Sequence, residues 1–312
     1  AAQNTSYLLP VFLGSSAFVF LNFGLPIRAD DLGISAFGIG GMYAVFTGTM
    51  LVVRPLVGYC LDRFGRRWFF TYAFLFYAAA MLVLARSEDM TDFYLARFLQ
   101  GVGASLMWVS ARTIIADLNT AAQRGMAMGR LTVTSVRGSM VGAIWGFTLL
   151  GMMPLAQAWL GAFSGYAILA MLGWLWSLRV VRETRAPVSA GGGGKLHWDA
   201  PLKRVMVVVF LSAFASALIE PIYLLFLKNK FELPTVLLAA AFLPAGLVFA
   251  IVPRYAGQWS DRFGRARIIA VGVVFAGVVS MALPFWPSIY LVAASYIFFA
   301  VGWAMASPAE DA

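Results

Sequence analysis

Residues 58–67 read Gly58-Tyr59-Cys60-Leu61-Asp62-Arg63-Phe64-Gly65-Arg66-Arg67, and residues 257–266 read Gly257-Gln258-Trp259-Ser260-Asp261-Arg262-Phe263-Gly264-Arg265-Ala266. Six of the ten positions agree at an offset of 199 residues. The same offset carries the apolar stretch 35–57 onto 234–256 and 68–86 onto 267–285, and it carries Gly103 onto Gly302. A short string matching by chance would not stay in register with its flanking apolar segments. The chain is therefore read as a duplicated unit of several elements.

The composition says what those elements are. Of 312 residues 61% are hydrophobic and only 12% charged, and the mean hydropathy is +0.82. A soluble fold of this length could not cover so much apolar surface, so a soluble enzyme and a disordered chain are excluded. The single Cys60 excludes an internal disulfide and a multi-cysteine metal site. Crossing a bilayer core of about 30 Å takes about 20 apolar residues in a helix. That length predicts ten spans: 7–27, 35–57, 68–86, 92–114, 127–150, 155–178, 206–226, 234–256, 267–285 and 291–312. The fifth, with Arg130 and Arg137, is expected to be the least apolar. The first reads as a span and not as a removable signal.

The net charge of +9 comes in short clusters between apolar runs, not on one face or tail, which argues against nucleic acid. Fourteen Lys and Arg lie in one set of loops, around 63–67, 124–130, 179–204 and 262–267. The other set holds four, Arg28, Arg86, Lys228 and Lys230. This bias places the first set, and the N-terminus, in the cytoplasm. The run Ala190-Gly191-Gly192-Gly193-Gly194-Lys195 lacks phosphate-loop spacing and a following Ser or Thr, so it reads as a tether, and His197 beside it as a solvated loop residue. No cofactor is expected.

Equal spacing with preserved orientation predicts two halves related by an axis along the membrane normal, with substrate bound between them. The expected division is 1–180, a six-helix bundle; 181–205, a cytoplasmic linker; and 206–312, the first four helices of a second bundle. Two further helices are expected beyond Ala312. Within the repeated motif Gly58 is expected to allow close helix approach, and Gly65 a tight turn. Asp62 accepts and Arg63, Arg66 and Arg67 donate charge-assisted hydrogen bonds. Membrane-surface anchoring would explain the arginines alone. It would not explain Asp62 and Gly65 or their copies Asp261 and Gly264, which Arg262 and Arg265 accompany, so the motif is predicted to be a breakable gating latch.

These residues resemble the signature of the major facilitator superfamily between its second and third spans. Arg97-Phe98-Leu99-Gln100-Gly101-Val102-Gly103-Ala104 resembles that family's second motif, and Ile115-Ala116-Asp117-Leu118 with Arg124-Gly125 resembles its exit from the fourth span. The resemblance covers essentially the whole chain. It implies an all-α polytopic membrane protein with the major facilitator fold, two six-helix halves with the second incomplete. It also implies that Asp62 and Arg66 lock the cytoplasmic side, with Asp117 as partner of Arg66. Gly138, Gly142 and Gly146 resemble the span-5 motif of proton-coupled drug antiporters, with Ala143 in place of the Pro and Phe147 in place of the last Gly. Glycines every fourth residue equally make a face for close helix packing.

Charges at membrane depth need a reason, since each costs at least ~2.5–3.5 kcal/mol. Arg54, Arg112 and Arg254 lie near cytoplasmic ends and can snorkel. Arg97 either pairs with Asp92 or faces the cavity with Gln100. Arg137, near the middle of its span, is expected to face the cavity and hold an anion or a carboxylate. Glu220, the one deep carboxylate, is a proton-coupling candidate or a structural bond across the gate. Trp108, Trp145, Phe20, Tyr43 and Tyr223 are aromatic candidates for a substrate pocket, although most aromatics in such helices pack or face lipid.

The expected function is secondary active transport of a small organic molecule by alternating access, first as proton-coupled efflux of drugs or metabolites. Uptake of a sugar or organic anion is the alternative, and a transporter-like sensor or lipid-handling protein the alternative of another class. The expected setting is a monomer in the lipid bilayer of a prokaryotic inner membrane. No nucleophile–base pair, metal cluster or nucleotide motif suggests an enzyme or primary pump.

Overall fold

The structure is a computed structural model that describes residues 5, 7–185, 207, 226–227, 230–232, 244–248, 251–252 and 265–310. Among these residues every regular element is a helix. In chain order they are α1 (Leu8–Gly14), α2 (Phe18–Asp31), α3 (Ala36–Phe64), α4 (Arg67–Ala85), α5 (Met90–Leu118), α6 (Ala121–Met152), α7 (Leu155–Val180), α8 (Arg265–Ala282) and α9 (Ile289–Glu310). A 3₁₀ turn, Leu283–Phe285, joins the last two.

Local chemistry sets the boundaries. Ser35 Oγ accepts from Gly38 N to start α3, and Asp89 accepts from Asp92 N to start α5. Gly65 ends α3 at φ 96°, a left-handed conformation that favours glycine. The first expected span is two helices, α1 and α2, broken at residues 15–17. There Ser16 Oγ donates to Leu13 O at 2.8 Å, the local side-chain bond by which serine competes with helical pairing.

Helix α4 packs between α5 and α7, α3 lies on α5, and α1 and α2 lie on α6. One apolar core centres on Phe20, whose ring meets Phe147, Trp159, Phe163 and Tyr166. A second, towards the arginine-rich end, is built from Phe70, Phe74, Tyr77 and Met107. The glycines of α6 make the expected smooth face. A Cβ on Gly138 or Gly142 would overlap the carbonyl oxygen of Phe12 or Ser16, and one on Gly146 would overlap the Phe20 ring.

The repeat is realised at the level of atoms. In α5, a Cβ on Gly103 would stand 3.1 Å from Ala73 O and 3.3 Å from Tyr77 N of α4. In α9, a Cβ on Gly302 would stand 2.8 Å from Gly272 O and 2.9 Å from Ala276 N of α8. Gly272 and Ala276 are Ala73 and Tyr77 carried forward by the 199-residue offset. Both halves thus cross the same two helices at the same pair of backbone atoms.

Five helices of the described residues are long and apolar enough to span a membrane: Leu8–Asp31, Ala36–Phe64, Arg67–Ala85, Met126–Met152 and Leu155–Val180. The fifth stretch is therefore apolar enough, and it is the fourth, α5, that falls short. Helix α5 is packed against α3 and α4, which lets it carry Arg97, Gln100, Ser105 and Ser110 away from lipid. Apolar segments Ala270–Phe285 and Ile289–Met305 are shorter. The expected spans 206–226 and 234–256, and the glycine tether, lie almost wholly outside the described residues.

Candidate functional site

The arginine-rich end of the first bundle holds a network centred on Arg66. Its Nε donates to Asp117 Oδ2 at 3.0 Å, and its Nη1 to Leu61 O at 2.9 Å. Its Nη2 lies 3.5 Å from Asp62 Oδ1. The Arg66 side chain is 11% exposed, Asp117 24% and Asp62 80%, so the tight pair is Arg66–Asp117 and Asp62 is peripheral. Thr184 Oγ1 also donates to Asp117 Oδ2 at 2.9 Å.

Glu183 is the member with no counterpart in the sequence motifs. Its carboxylate accepts from the backbone N–H groups of Arg66 at 2.9 Å, Arg67 at 3.2 Å, Thr184 at 3.0 Å and Arg185 at 2.9 Å. It thereby caps the N-terminus of α4, whose first amides have no partner within the helix. Burial pushes its pKa up, but these four amides outweigh burial and hold it below the ordinary carboxylate value. The space it fills exists because position 65 is glycine: a Cβ on Gly65 would overlap the Glu183 carboxylate.

Further bonds tie the same end together. Arg185 donates to Arg63 O, Arg67 Nη2 to Leu178 O at 2.8 Å, and Arg124 Nη2 to Ala116 O at 3.1 Å. The ends of α3, α5 and α7 and the start of α4 are thus held by charge-assisted bonds that water can replace. Residues 181–185, read as the start of the linker, belong to this network. A Cβ on Gly58 meets no atom of the described residues within 4 Å. Asp261, Arg262 and Gly264 lie outside the described residues; Arg265 opens α8.

Deeper in the bundle, Arg97 is 2% exposed on α5. Its Nη1 donates to Gln100 Oε1 at 2.7 Å, and its guanidinium lies 4.7 Å from the Tyr43 ring centroid and 5.1 Å from that of Phe46. Of the two partners expected for Arg97, Gln100 is bonded to it, and Asp92 accepts from Glu88 N. Two aromatic faces and an amide stabilise the guanidinium at a depth where water does not.

Arg137 is exposed on α6, with exposed Val141 and Ile144 on the same side. Of its neighbours on α6, Trp145 packs on Gly165 of α7 and Met140 faces Gly246, and Arg137 points between those two directions, away from the glycine face on α1. Glu220 and Tyr223 lie outside the described residues. Phe20 is core, Tyr43 supports Arg97, and Trp108 is partly buried in the second core.

At the opposite end the two halves meet through apolar side chains. Ile27, with Phe23 beside it, packs on Leu227, Leu283 and Val292, with Phe231 and Trp286 alongside. Lys230 caps this plug, donating to the carbonyl oxygens of Pro284 and Trp286 beneath the rings of Phe226 and Phe231.

Comparison with known proteins gives these features a setting. The sequence profile of the Major Facilitator Superfamily matches residues 8–310. Multidrug resistance protein 1 of Bacillus subtilis is 26% identical over 241 residues, 73% of this chain and 60% of the relative, so the match spans less than two thirds of that relative's length. The quinolone resistance protein NorA of Staphylococcus aureus is 22% identical over 93% of this chain and 77% of its own. Among solved structures, the partially occluded inward-open xylose transporter XylE of E. coli superposes with a TM-score of 0.77 at 17% identity, covering 99% of this chain and 82% of that one. A human organic anion transporter superposes at 0.74, also at 17% identity, covering 99% and 84%.

Proposed function

The chain belongs to the Major Facilitator Superfamily, a family of transporters and not of enzymes, and on that premise we propose that it exports small organic molecules by alternating access, driven by protons. The observation that carries the reading is the contrast between the two ends. At one end a water-exchangeable network of Arg66, Asp117, Glu183 and Thr184 holds the first bundle together. At the other a dry plug of Ile27, Leu227 and Leu283 joins the two halves. A first bundle braced by polar bonds at one end and joined to the second half by an apolar plug at the other supplies parts that a rocking mechanism uses.

In this reading the first bundle is 1–180, the linker 181–205 and the second bundle 206–312. Asp62, Arg66, Asp117 and Glu183 form the cytoplasmic latch, and their repeat copies Asp261, Arg262, Gly264 and Arg265 serve the second half. Arg97 and Gln100 form the polar centre for substrate or coupling, and Glu220 is retained as the proton-carrying candidate. The protein works as a monomer in a bacterial cytoplasmic membrane with its N-terminus inside.

The drug-efflux preference rests on the names of the B. subtilis and S. aureus relatives and on the Gly138, Gly142, Gly146 face. Uptake of a sugar or an organic anion is the second reading, favoured by the buried cation Arg97, which can bind anionic or hydroxylated groups. Proteoliposomes of the full-length protein, with and without an imposed pH gradient, decide between them against cationic dyes, quinolones, sugars and organic anions. Dye or quinolone movement that tracks the gradient is expected. Gradient-independent movement, or selective movement of sugars or anions, overturns the efflux reading.

A further inference from the structure

We infer that the cytoplasmic-leaflet edge where α4 meets α7 is a binding site for the headgroup of an anionic phospholipid. Arg67 donates Nη2 to Leu178 O at 2.8 Å, which fixes the start of α4 against the end of α7. Its guanidinium lies 5.0 Å from the Trp68 ring centroid, and Trp68 stacks on Tyr72 at 5.9 Å. Trp68 and Tyr72 are 46% and 47% exposed, and Trp176 of α7 is 44% exposed. Exposed Arg179 follows one turn later, and exposed Arg182 lies just past the end of α7.

The charge on this edge is uncompensated. The arginine-rich end does hold carboxylates, but Asp117 is taken by Arg66 and Thr184, Glu183 by four backbone amides, and the exposed Asp62 lies 3.5 Å from Arg66 Nη2. Among the described residues no carboxylate pairs with the side chains of Arg67, Arg179 or Arg182. The outward stripe of α7 below Arg179 is apolar, with Ile168, Leu172 and Leu175 exposed. An acyl chain on that stripe would bring its phosphate to Arg179 and Arg182, with the aromatic rings at the headgroup level that such rings favour. The site concerns neither the transported molecule nor the Arg66–Asp117 pair.

Native mass spectrometry of the full-length protein, released from mixed micelles holding phosphatidylglycerol and phosphatidylcholine in equal amounts, tests the assignment. Retention of phosphatidylglycerol over phosphatidylcholine is expected. The double variant Arg179→Gln with Arg182→Gln should lower phosphatidylglycerol affinity by about fivefold per arginine removed. Arg179→Lys with Arg182→Lys should keep it, and Arg28→Gln with Arg86→Gln, at the other end, should leave it unchanged. Equal retention of the two lipids overturns the proposal, as does an unchanged affinity in the Gln double variant or an equal loss in the opposite-end variant.

Discussion

Replacing Glu183 by Gln removes a charge without changing shape, and the structure says what that costs. In the native chain Oε1 accepts from the amides of Arg66, Thr184 and Arg185 at 2.9, 3.0 and 2.9 Å, and Oε2 accepts from Arg66 and Arg67 at 3.0 and 3.2 Å. A glutamine keeps one acceptor oxygen and turns its NH₂ towards the remaining donors. At least one bond to a charged group is lost, nominally about 1.5–3 kcal/mol. The site is exposed, so water replaces part of it, and a net loss of about 1–2 kcal/mol follows. At about 2–4 °C per kcal/mol, Glu183→Gln should melt about 2–8 °C lower in detergent at pH 7. The difference should depend on pH. The native pKa is held below its unfolded value near 4.3, so the stabilisation is complete above that value and is lost as pH falls through the folded one. Melting curves of wild type and variant should therefore draw together as pH falls below about 4.3. Equal melting at pH 7, or a gap that stays constant down to pH 3, would refute the capping role.

Three further outcomes are expected. Gly142→Ala drives a methyl into the Ser16 carbonyl, 2.6 Å from its carbon, and should cost about 1–3 kcal/mol by thermal melting, whereas Gly48→Ala, with nothing within 4 Å, should be neutral or slightly stabilising. Asp117→Asn weakens the bonds from Arg66 Nε and Thr184 Oγ1 and should shift the inward–outward distribution, read by spin-label distances across the arginine-rich end; an unchanged distribution removes Asp117 from the latch. Trp159→Phe leaves Leu84 O without its 2.6 Å donor and should cost about 1 kcal/mol in the same melting assay, because the site is buried.

What the sequence made legible was what recurs or alternates. The 199-residue offset led from Gly103 to Gly302, and both prove to be helix crossings of the same geometry. The glycine spacing in α6 foretold a close approach, and the family motifs brought Arg66 to Asp117. The capping role of Glu183 was not legible, because its partners at the start of α4 lie 117 and 116 positions away and a carboxylate after a span carries no periodic signal. For Arg137, mid-span depth says how far a residue lies from water and nothing about which side of the helix it takes. That side depends on where α7 and Gly246 sit, which is a tertiary fact. The break at residues 15–17 was hidden for a similar reason: apolar runs count residues and do not register where serine hydroxyls claim carbonyl oxygens.

The two ends of the first bundle differ in the kind of energy that holds them, and under the proposed function this has a consequence for the transport cycle. Each exposed ion pair in the Arg66 network is worth about 0–1 kcal/mol, because water competes for both partners. Shifting the helix ends it joins exchanges protein contacts for hydration at little net cost, and the cost changes with salt and pH. Opening the other end exposes Ile27, Leu227, Leu283 and Val292, for which no such exchange exists. Each fully buried aliphatic side chain brought into water costs about 1.5–3 kcal/mol, largely independent of ionic strength. With no substrate bound, the apolar plug should stay shut and the polar end should do the opening. Under the proposed function, substrate or a coupling proton then supplies several kcal/mol of differential binding to part the plug.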